Sequence, residues 1–235
     1  MASYLAANAL QGAETCFFEK YIKPGQAILD LGVGAGRTTP YLARDASRYV
    51  GLDYAAAMVE ACQIRFPALE FVCGDAADLS MFETASFDVV VFSYNGMGHL
   101  SDAGRARLLE HVHRILKPSG YLIFSLHNAR GLLLRPRRDG RGLAATAAGL
   151  AQSVAANLRR VTQRLTSPTF WRGHGPLWLN LHGGRSLLFQ STPPATRREL
   201  ERSGFDLLET LPDTYPEQAN PMLVRWWYYA ARRRP

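Results

Sequence analysis

Three glycines at alternate positions, Gly32, Gly34 and Gly36, follow a short apolar run at 27–31 and precede a helix-forming stretch at 38–43 with a proline in its first turn. Glycines so spaced let the chain turn sharply and bring its backbone against a ligand, because no Cβ intervenes and positive φ is tolerated. Asp53 ends a second apolar run at 49–52, 17 positions past Gly36. An acid at that place accepts hydrogen bonds from ribose hydroxyls, so turn, helix, strand and acid together suit an adenosine-containing ligand. The spacing is G-x-G-x-G, and Arg37 stands where a dinucleotide turn has its third glycine. A nicotinamide-dependent oxidoreductase is accordingly the remote alternative. A second acid, Asp75, follows Gly74 after a strand signal at 69–73.

Residues fit to meet a second substrate follow the later apolar runs. After 87–92 comes Ser93-Tyr94-Asn95-Gly96-Met97-Gly98-His99, and after 121–125 comes His127. Ligands of α/β sheets bind outside the carboxyl ends of the strands, where these residues fall. A histidine can take a proton from a hydroxyl or amine nucleophile, which makes His99 the first candidate base and His127 the second. Tyr94 is placed to position the substrate. A structurally satisfied imidazole remains the alternative for each, and His111 and His113, on a helix, are bystanders. No His/Cys/Asp cluster has metal-ligand spacing, so no metal is expected. Cys16, Cys62 and Cys73 are odd in number and widely spaced, which fits reduced thiols in a cytoplasmic protein.

The elements that must position these residues alternate regularly. Helices are predicted at 5–21, 38–43, 55–65 and 103–116, the last N-capped by Ser101. Strands are predicted at 27–31, 49–52, 69–73, 87–92 and, after the turn Lys117-Pro118-Ser119-Gly120, at 121–125. Continuous apolar strands between helices indicate a parallel sheet covered on both faces. Beyond 126 the rhythm breaks. An Arg- and Gly-rich stretch at 130–142 precedes Leu143, Ala147, Leu150, Val154, Leu158, Val161 and Leu165, spaced as an amphipathic helix. Runs at 177–182 and 185–190 flank Gly183-Gly184 as a hairpin, and Pro193-Pro194 closes the segment. A helix at 195–203 and strands at 205–211 and 224–231 complete the core. The fold class expected is α/β: a doubly wound, mostly parallel seven-stranded sheet, its last strand antiparallel, with a helix-plus-hairpin cap inserted between the fifth and sixth strands. The division is 1–129 for a cofactor-binding core, 130–192 for the cap, and 193–235 for completion of the sheet.

The net charge of +7 is lopsided: residues 1–125 hold 10 Lys+Arg against 13 Asp+Glu, and residues 126–235 hold 17 against 7. An arginine-rich half can attract an anionic substrate or nucleic acid. The runs are scattered and no nucleic-acid motif accompanies them, so a solvated surface is favoured. The apolar runs fall short of a membrane span, and Glu14 and Glu19 near the start do not fit a secretory leader.

Five segments in order resemble the class I S-adenosylmethionine-dependent methyltransferases over residues 27–126. They are Ile28 to Gly36; Val50-Gly51-Leu52-Asp53-Tyr54; Phe71-Val72-Cys73-Gly74-Asp75-Ala76; Phe87-Asp88-Val89-Val90-Val91; and Arg114 to Ile123, where Ser119 replaces the first glycine of the family's L-[KR]-P-G-G. The resemblance implies S-adenosylmethionine as cofactor, bound at Gly32, Gly34 and Gly36, with the backbone around Gly32 and Gly34 holding its methionyl part and Asp30 ordering the ammonium directly or through water. It implies Asp53 on the ribose, Tyr54 and Met58 on the adenine, and Asp75 with the Ala76 amide reading the adenine edge. Ser93, Tyr94 and Asn95 would line the methyl-donor edge. Ser93 to His99 lacks the D/N-P-P-Y/F sequence of members acting on planar amino groups, an argument against that subgroup. Phe170, Trp171, Trp178 and Phe189, with Arg172 and Arg185, suit either closure over an organic acceptor or packing of the cap. The expected function is methyl transfer to an O or N atom of a small organic acceptor, by a monomer or homodimer without nucleic-acid or membrane partners. An RNA or protein methyltransferase using the basic half is the alternative, and a silent cofactor-binding protein a further one.

Overall fold

The computed structural model describes residues 9–132, 147–181, 184–217 and 220–235. In chain order the elements begin with α1 (Gly12–Tyr21), β1 (Ala27–Leu31), α2 (Thr39–Leu42), β2 (Arg48–Asp53), α3 (Ala56–Arg65), β3 (Glu70–Cys73) and β4 (Phe87–Phe92). A 3₁₀ turn, Gly96–His99, then leads into α4 (Asp102–Ile115) and β5 (Leu116–Asn128). There follow α5 (Ala147–Leu165), α6 (Pro168–Arg172), β6 (His174–Leu181), β7 (Gly184–Ser191), α7 (Pro193–Arg202), β8 (Phe205–Pro212) and β9 (Trp226–Arg233).

Strands β3, β2, β1, β4 and β5 pair in parallel in that order, and β9 pairs antiparallel with both β5 and β8. Successive strand residues face opposite sides of a sheet, and both sides are apolar here. Leu29, Leu31, Val50, Leu52 and Val90 pack with Leu108, Leu109, Val112 and Ile115 of α4. Ile28, Val89, Val91 and Ile123 pack on the other side with Phe17 and Phe18 of α1 and Val59 and Cys62 of α3. Ser101 caps α4 by accepting the Gly104 N–H at 3.0 Å.

The seven core strands expected are present, and the hairpin adds two more to make a sheet of nine. His127 of β5 pairs with Trp226 of β9 and also with Gln190 of β7. A strand has two edges, and β9 takes one. The β7 strand therefore occupies the edge that β4 uses lower down and vacates after Phe92. The hairpin thus extends the sheet over the carboxyl end of β4 and does not stand apart as a lid. Gly98 of the 3₁₀ turn lies against it: a Cβ there would come within 3.0 Å of the Phe189 carbonyl.

Other boundaries differ for local reasons. β5 starts at Leu116, before the anticipated turn, because Leu116 already pairs with Phe87; the register then shifts before Val89 pairs with Tyr121, and Ser119 in that irregularity takes φ 63°. Serine thus adopts the left-handed conformation for which the related motif uses glycine. Pro193 and Pro194 open α7, where prolines are tolerated because the first helical N–H groups have no intrahelical acceptor. Residues 5–8 of the anticipated first helix, 133–142 of the basic loop, Leu143, and His182-Gly183 lie outside the described residues.

Gly36 shows how closely the glycine turn is seated. It has φ +76°, and a Cβ would lie 2.6 Å from the Phe66 ring and 3.3 Å from Cys62 Sγ. Gly36→Ala combines overpacking with left-handed strain and is expected to destabilise by at least about 2 kcal/mol. An unchanged denaturant midpoint would contradict this seating.

Candidate active site

The turn after β1 lies beside the end of β2 because Leu31 pairs with Leu52. Gly32, Gly34 and Gly36 all take positive φ. Asp53, 6% exposed, holds the turn: its Oδ2 accepts the Gly34 N–H at 2.8 Å and its Oδ1 the Ala55 N–H at 2.9 Å. One lone pair remains on each oxygen, an arrangement suited to two vicinal hydroxyls. Behind the turn, Cys62 donates to the Gly34 carbonyl and Arg65 to that of Ala35, both at 3.1 Å. The front is open, since a Cβ on Gly34 would meet nothing within 4 Å. Backbone anchored from behind and bare in front is a cradle that fits an adenosyl cofactor.

Asp30 does not face this opening. It is 1% exposed, and its Oδ2 accepts from Thr38 Oγ1 at 2.6 Å and from Tyr49 OH at 3.0 Å. Burial pushes its carboxyl up to about 6, with the two hydroxyls pulling the other way. Through these two bonds Asp30 fixes the residues behind the turn.

On the adenine side, Tyr54 is 83% exposed, so it is not general core, and Met58 is half-buried. Asp75 Oδ1 accepts the Ala77 N–H at 2.8 Å and the Asp75 carbonyl accepts the Asp78 N–H at 2.9 Å. The Asp75 side chain thus shapes the loop carrying Ala76 and stays exposed.

The donor edge contains a group that residue spacing did not reveal. Glu14 of α1, 1% exposed, accepts both Arg37 guanidinium nitrogens at 2.6 and 2.8 Å, the Gln11 N–H at 2.8 Å, and the Ser93 hydroxyl. The Arg37 guanidinium in turn lies 5.1 Å from the centre of the Tyr94 ring. Tyr94 and Asn95 are consecutive non-glycine residues at φ 55° and 66°. Such strain concentrates where a surrounding structure imposes it, commonly at functional sites. The Asn95 N–H donates to Ser125 Oγ at 2.8 Å, while its Oδ1 is buried without a donor among the described residues. That orphaned acceptor, on the loop beyond β4, is suited to a donor from a bound ligand.

His99 is exposed at the end of the 3₁₀ turn. His127 is half-buried, edge-on to Trp226 at 6.1 Å, and Trp226 lies 6.2 Å from Tyr94. Burial first, and then the positive charge of Arg164 and the neighbouring His99, lower its proton affinity from 6.5 to about 4. A neutral imidazole of that kind hydrogen-bonds well and takes protons poorly. In the segment after β5, Phe170 and Phe189 are buried, and Trp171 and Trp178 are exposed. The Arg105 guanidinium lies 3.2 Å from the centre of the Phe189 ring, which thus serves packing. Among the described residues no His/Cys/Asp/Glu group could hold a metal, and no helix is long and apolar enough to cross a membrane.

A glycine cradle backed by helix side chains, a buttressed acid on the next strand, and a polar edge beyond β4 define a nucleotide-cofactor enzyme site on an α/β sheet. Residues 28–120 match the family model described as "Methyltransferase domain". A phthiotriol/phenolphthiotriol dimycocerosates methyltransferase of Mycobacterium ulcerans is 35% identical over 179 residues, 74% of this chain and 58% of that one. The chain spans about half the length of the curated relatives it matches first. In fold it is similar to an S-adenosylmethionine-dependent methyltransferase from Listeria monocytogenes (TM-score 0.65, 18% identity, 94% of this chain and 98% of that one). It is also similar to the 1,6-didemethyltoxoflavin-N1-methyltransferase of Burkholderia thailandensis, solved with S-adenosylhomocysteine (TM-score 0.61, 16% identity, 99% and 81%). Residues 28–120 form a methyltransferase domain, and the fold is that of the S-adenosylmethionine-dependent methyltransferases.

Two tests follow from this geometry. Gly34→Ala adds a methyl group to the open side of the turn at φ +55°. It should cost only about 1 kcal/mol in stability yet weaken S-adenosylhomocysteine at least about tenfold; full affinity by calorimetry would show that the cradle lies elsewhere. The second concerns acid. The unfolded chain protonates His127 below 6.5 and the folded chain only below about 4, so this group withdraws stability as pH falls through that window. Asp30 opposes it, since the fold protonates first, near 6 instead of 3.8, and gains stability as pH falls between them. His127→Gln should therefore flatten the acid loss between 6.5 and 4 by up to about 3 kcal/mol. Parallel profiles for variant and wild type would refute the assignment.

Proposed function

We propose that this chain transfers the methyl group of S-adenosylmethionine to an oxygen or nitrogen of a small organic acceptor by in-line displacement. The observation that carries the reading is one chain of contacts. Asp53 holds Gly34, Arg37 at the end of the turn donates to Ser93 and lies over Tyr94, and Tyr94 meets Trp226, which meets His127, so the linked contacts run from the cradle to the far edge. The cofactor supplies an electrophilic methyl group, so the protein's contribution is chiefly alignment and exclusion of water. Glycine backbone and Asp53 hold the adenosyl end; Ser93 and Asn95 line the donor edge, with Tyr94 under Arg37 positioning the acceptor. His99 takes the proton when the nucleophile arrives protonated. The segment 130–192 supplies the acceptor side, and the chain acts as a monomer or homodimer.

The arginines of the second half favour a small acceptor over a polyanion. Arg225 is paired with Asp213 at 2.7 Å, Arg234 with Asp206 at 2.7 Å, and Arg233 donates to the Leu116 carbonyl at 2.7 Å. Cations committed to structural partners leave less charge for phosphates. The names of the Mycobacterium and Burkholderia proteins likewise specify neither a nucleic acid nor a protein as acceptor.

S-adenosylhomocysteine at about 100 times its Kd should stabilise the chain by about 2.7 kcal/mol and raise Tm by roughly 5–10 °C. NAD should not; stabilisation by NAD alone would overturn the reading. His99→Ala should lower turnover about 100-fold or more with S-adenosylhomocysteine affinity unchanged. Normal turnover would remove His99 from the mechanism.

A further inference from the structure

Arg164, near the end of α5, is 3% exposed. Its Nη1 donates to the Gln190 side-chain oxygen and, at 3.4 Å, to the Asn128 carbonyl. Both acceptors are neutral, and among the described residues no carboxylate pairs with it. A buried guanidinium is costly unless an anion compensates it. The nearby Arg225 illustrates the usual remedy, since buried Asp213 pairs with it. A second, independent irregularity sits at the same spot. Gln190 is fully buried, and while its oxygen serves Arg164, its Nε2 has no acceptor among the described residues.

Position gives these observations their meaning. Gln190 pairs in register with His127 at the carboxyl end of β5. His127 contacts Trp226, which reaches Tyr94 on the donor edge. The positive charge of Arg164 is close enough to suppress protonation of His127. A buried guanidinium with no carboxylate partner among the described residues, a buried amide nitrogen without an acceptor, a neutral imidazole and an indole face thus meet beside the methyl-donor edge.

We propose that Arg164 and the Gln190 amide form a subsite for an anionic oxygen, a carboxylate in the first instance, on the methyl acceptor. The Arg164 guanidinium and Gln190 Nε2–H donate to that oxygen, and Trp226 bears on the acceptor's organic body. Arg164 and Gln190 are then specificity-determining residues, and the preferred acceptor is an organic acid. The inference rests on the methyltransferase reading above and deepens it.

The test uses the whole chain saturated with S-adenosylhomocysteine, with benzoate and its neutral isostere benzamide as probes and calorimetry as readout. Benzoate should bind at least about tenfold more tightly than benzamide, as expected where a charge-assisted pair replaces a neutral one. Gln190→Glu keeps the shape and sets a carboxylate against Arg164. It should abolish the preference, raise Tm, and leave S-adenosylhomocysteine affinity intact. Arg164→Gln should also abolish the preference. Equal binding of the two probes to the wild type, or a preference surviving in Gln190→Glu, overturns the subsite while leaving the methyltransferase reading in place. Failure of S-adenosylhomocysteine itself to bind overturns both.

Discussion

The carboxylate of Asp53 is the constraint on which the site depends. Parallel pairing of β1 with β2 sets the turn after the first strand alongside the end of the second, and Asp53 locks the two together through the Gly34 and Ala55 amides. A charge-assisted bond to a backbone N–H is stronger than a neutral one. It fixes the left-handed glycines in one arrangement while leaving their outward side bare. The thiol of Cys62 and the guanidinium of Arg65 hold the same turn from α3, so the cradle is preorganised from two directions. Phe92 extends the constraint to β4. Its ring lies where Cβ atoms on both Gly32 and Gly96 would collide with it, so the turn and the loop beyond β4 pack against one side chain.

The N-terminal helix is bound into this unit by a buried charge. Arg37 leaves the glycine turn and meets Glu14, which also takes the Ser93 hydroxyl. Burying such a pair is costly, and removing one partner leaves an uncompensated charge worth about 3–5 kcal/mol. The arrangement is therefore poor as a pure stabiliser and good as a register device. It fixes α1 over the carboxyl edge and sets Arg37 against the ring of left-handed Tyr94. Strain at Tyr94 and Asn95 is sustained because Arg37 against the Tyr94 ring and Ser125 of β5 against the Asn95 N–H hold them from both sides.

What the sequence made legible follows from how local the determining interactions are. The glycine turn, Asp53 and the first five strands depend on contacts between neighbouring segments, and apolar runs with turn signals between them report such contacts directly. Glu14 was visible only as a charge near the start, because its partners Arg37 and Ser93 lie 23 and 79 positions away. Arg37 itself offered a signal, a cation directly after the glycines, which spacing used only to disfavour a dinucleotide. Asp30 was readable as an acid in the right place but not as one turned inward, since Thr38 and Tyr49 claim it only once folded. The hairpin was found, but its docking on β5 was not. Two residues of register, His127 with Gln190 and Asn128 with Ser191, decide that docking, and no periodicity encodes them.

These differences bear on how the two halves of the site divide the chemistry. The cofactor half is built from backbone and one carboxylate, so many sequences can satisfy it and its motif is easily recognised. The proposed acceptor half lies where β5 meets two partners beyond the end of β4, with Arg164, Gln190, His127 and Trp226 drawn from four elements. Its field is positive and its interior poorly solvated, and those two conditions act on both chemical partners in the same sense. They keep His127 unprotonated at neutral pH, so it is a weak base. They also favour an acceptor that arrives with a negative oxygen, for which no buried base is required to make the site attractive. The low proton affinity of His127 and the lack of a counter-ion for Arg164 among the described residues are thus two readings of one electrostatic environment.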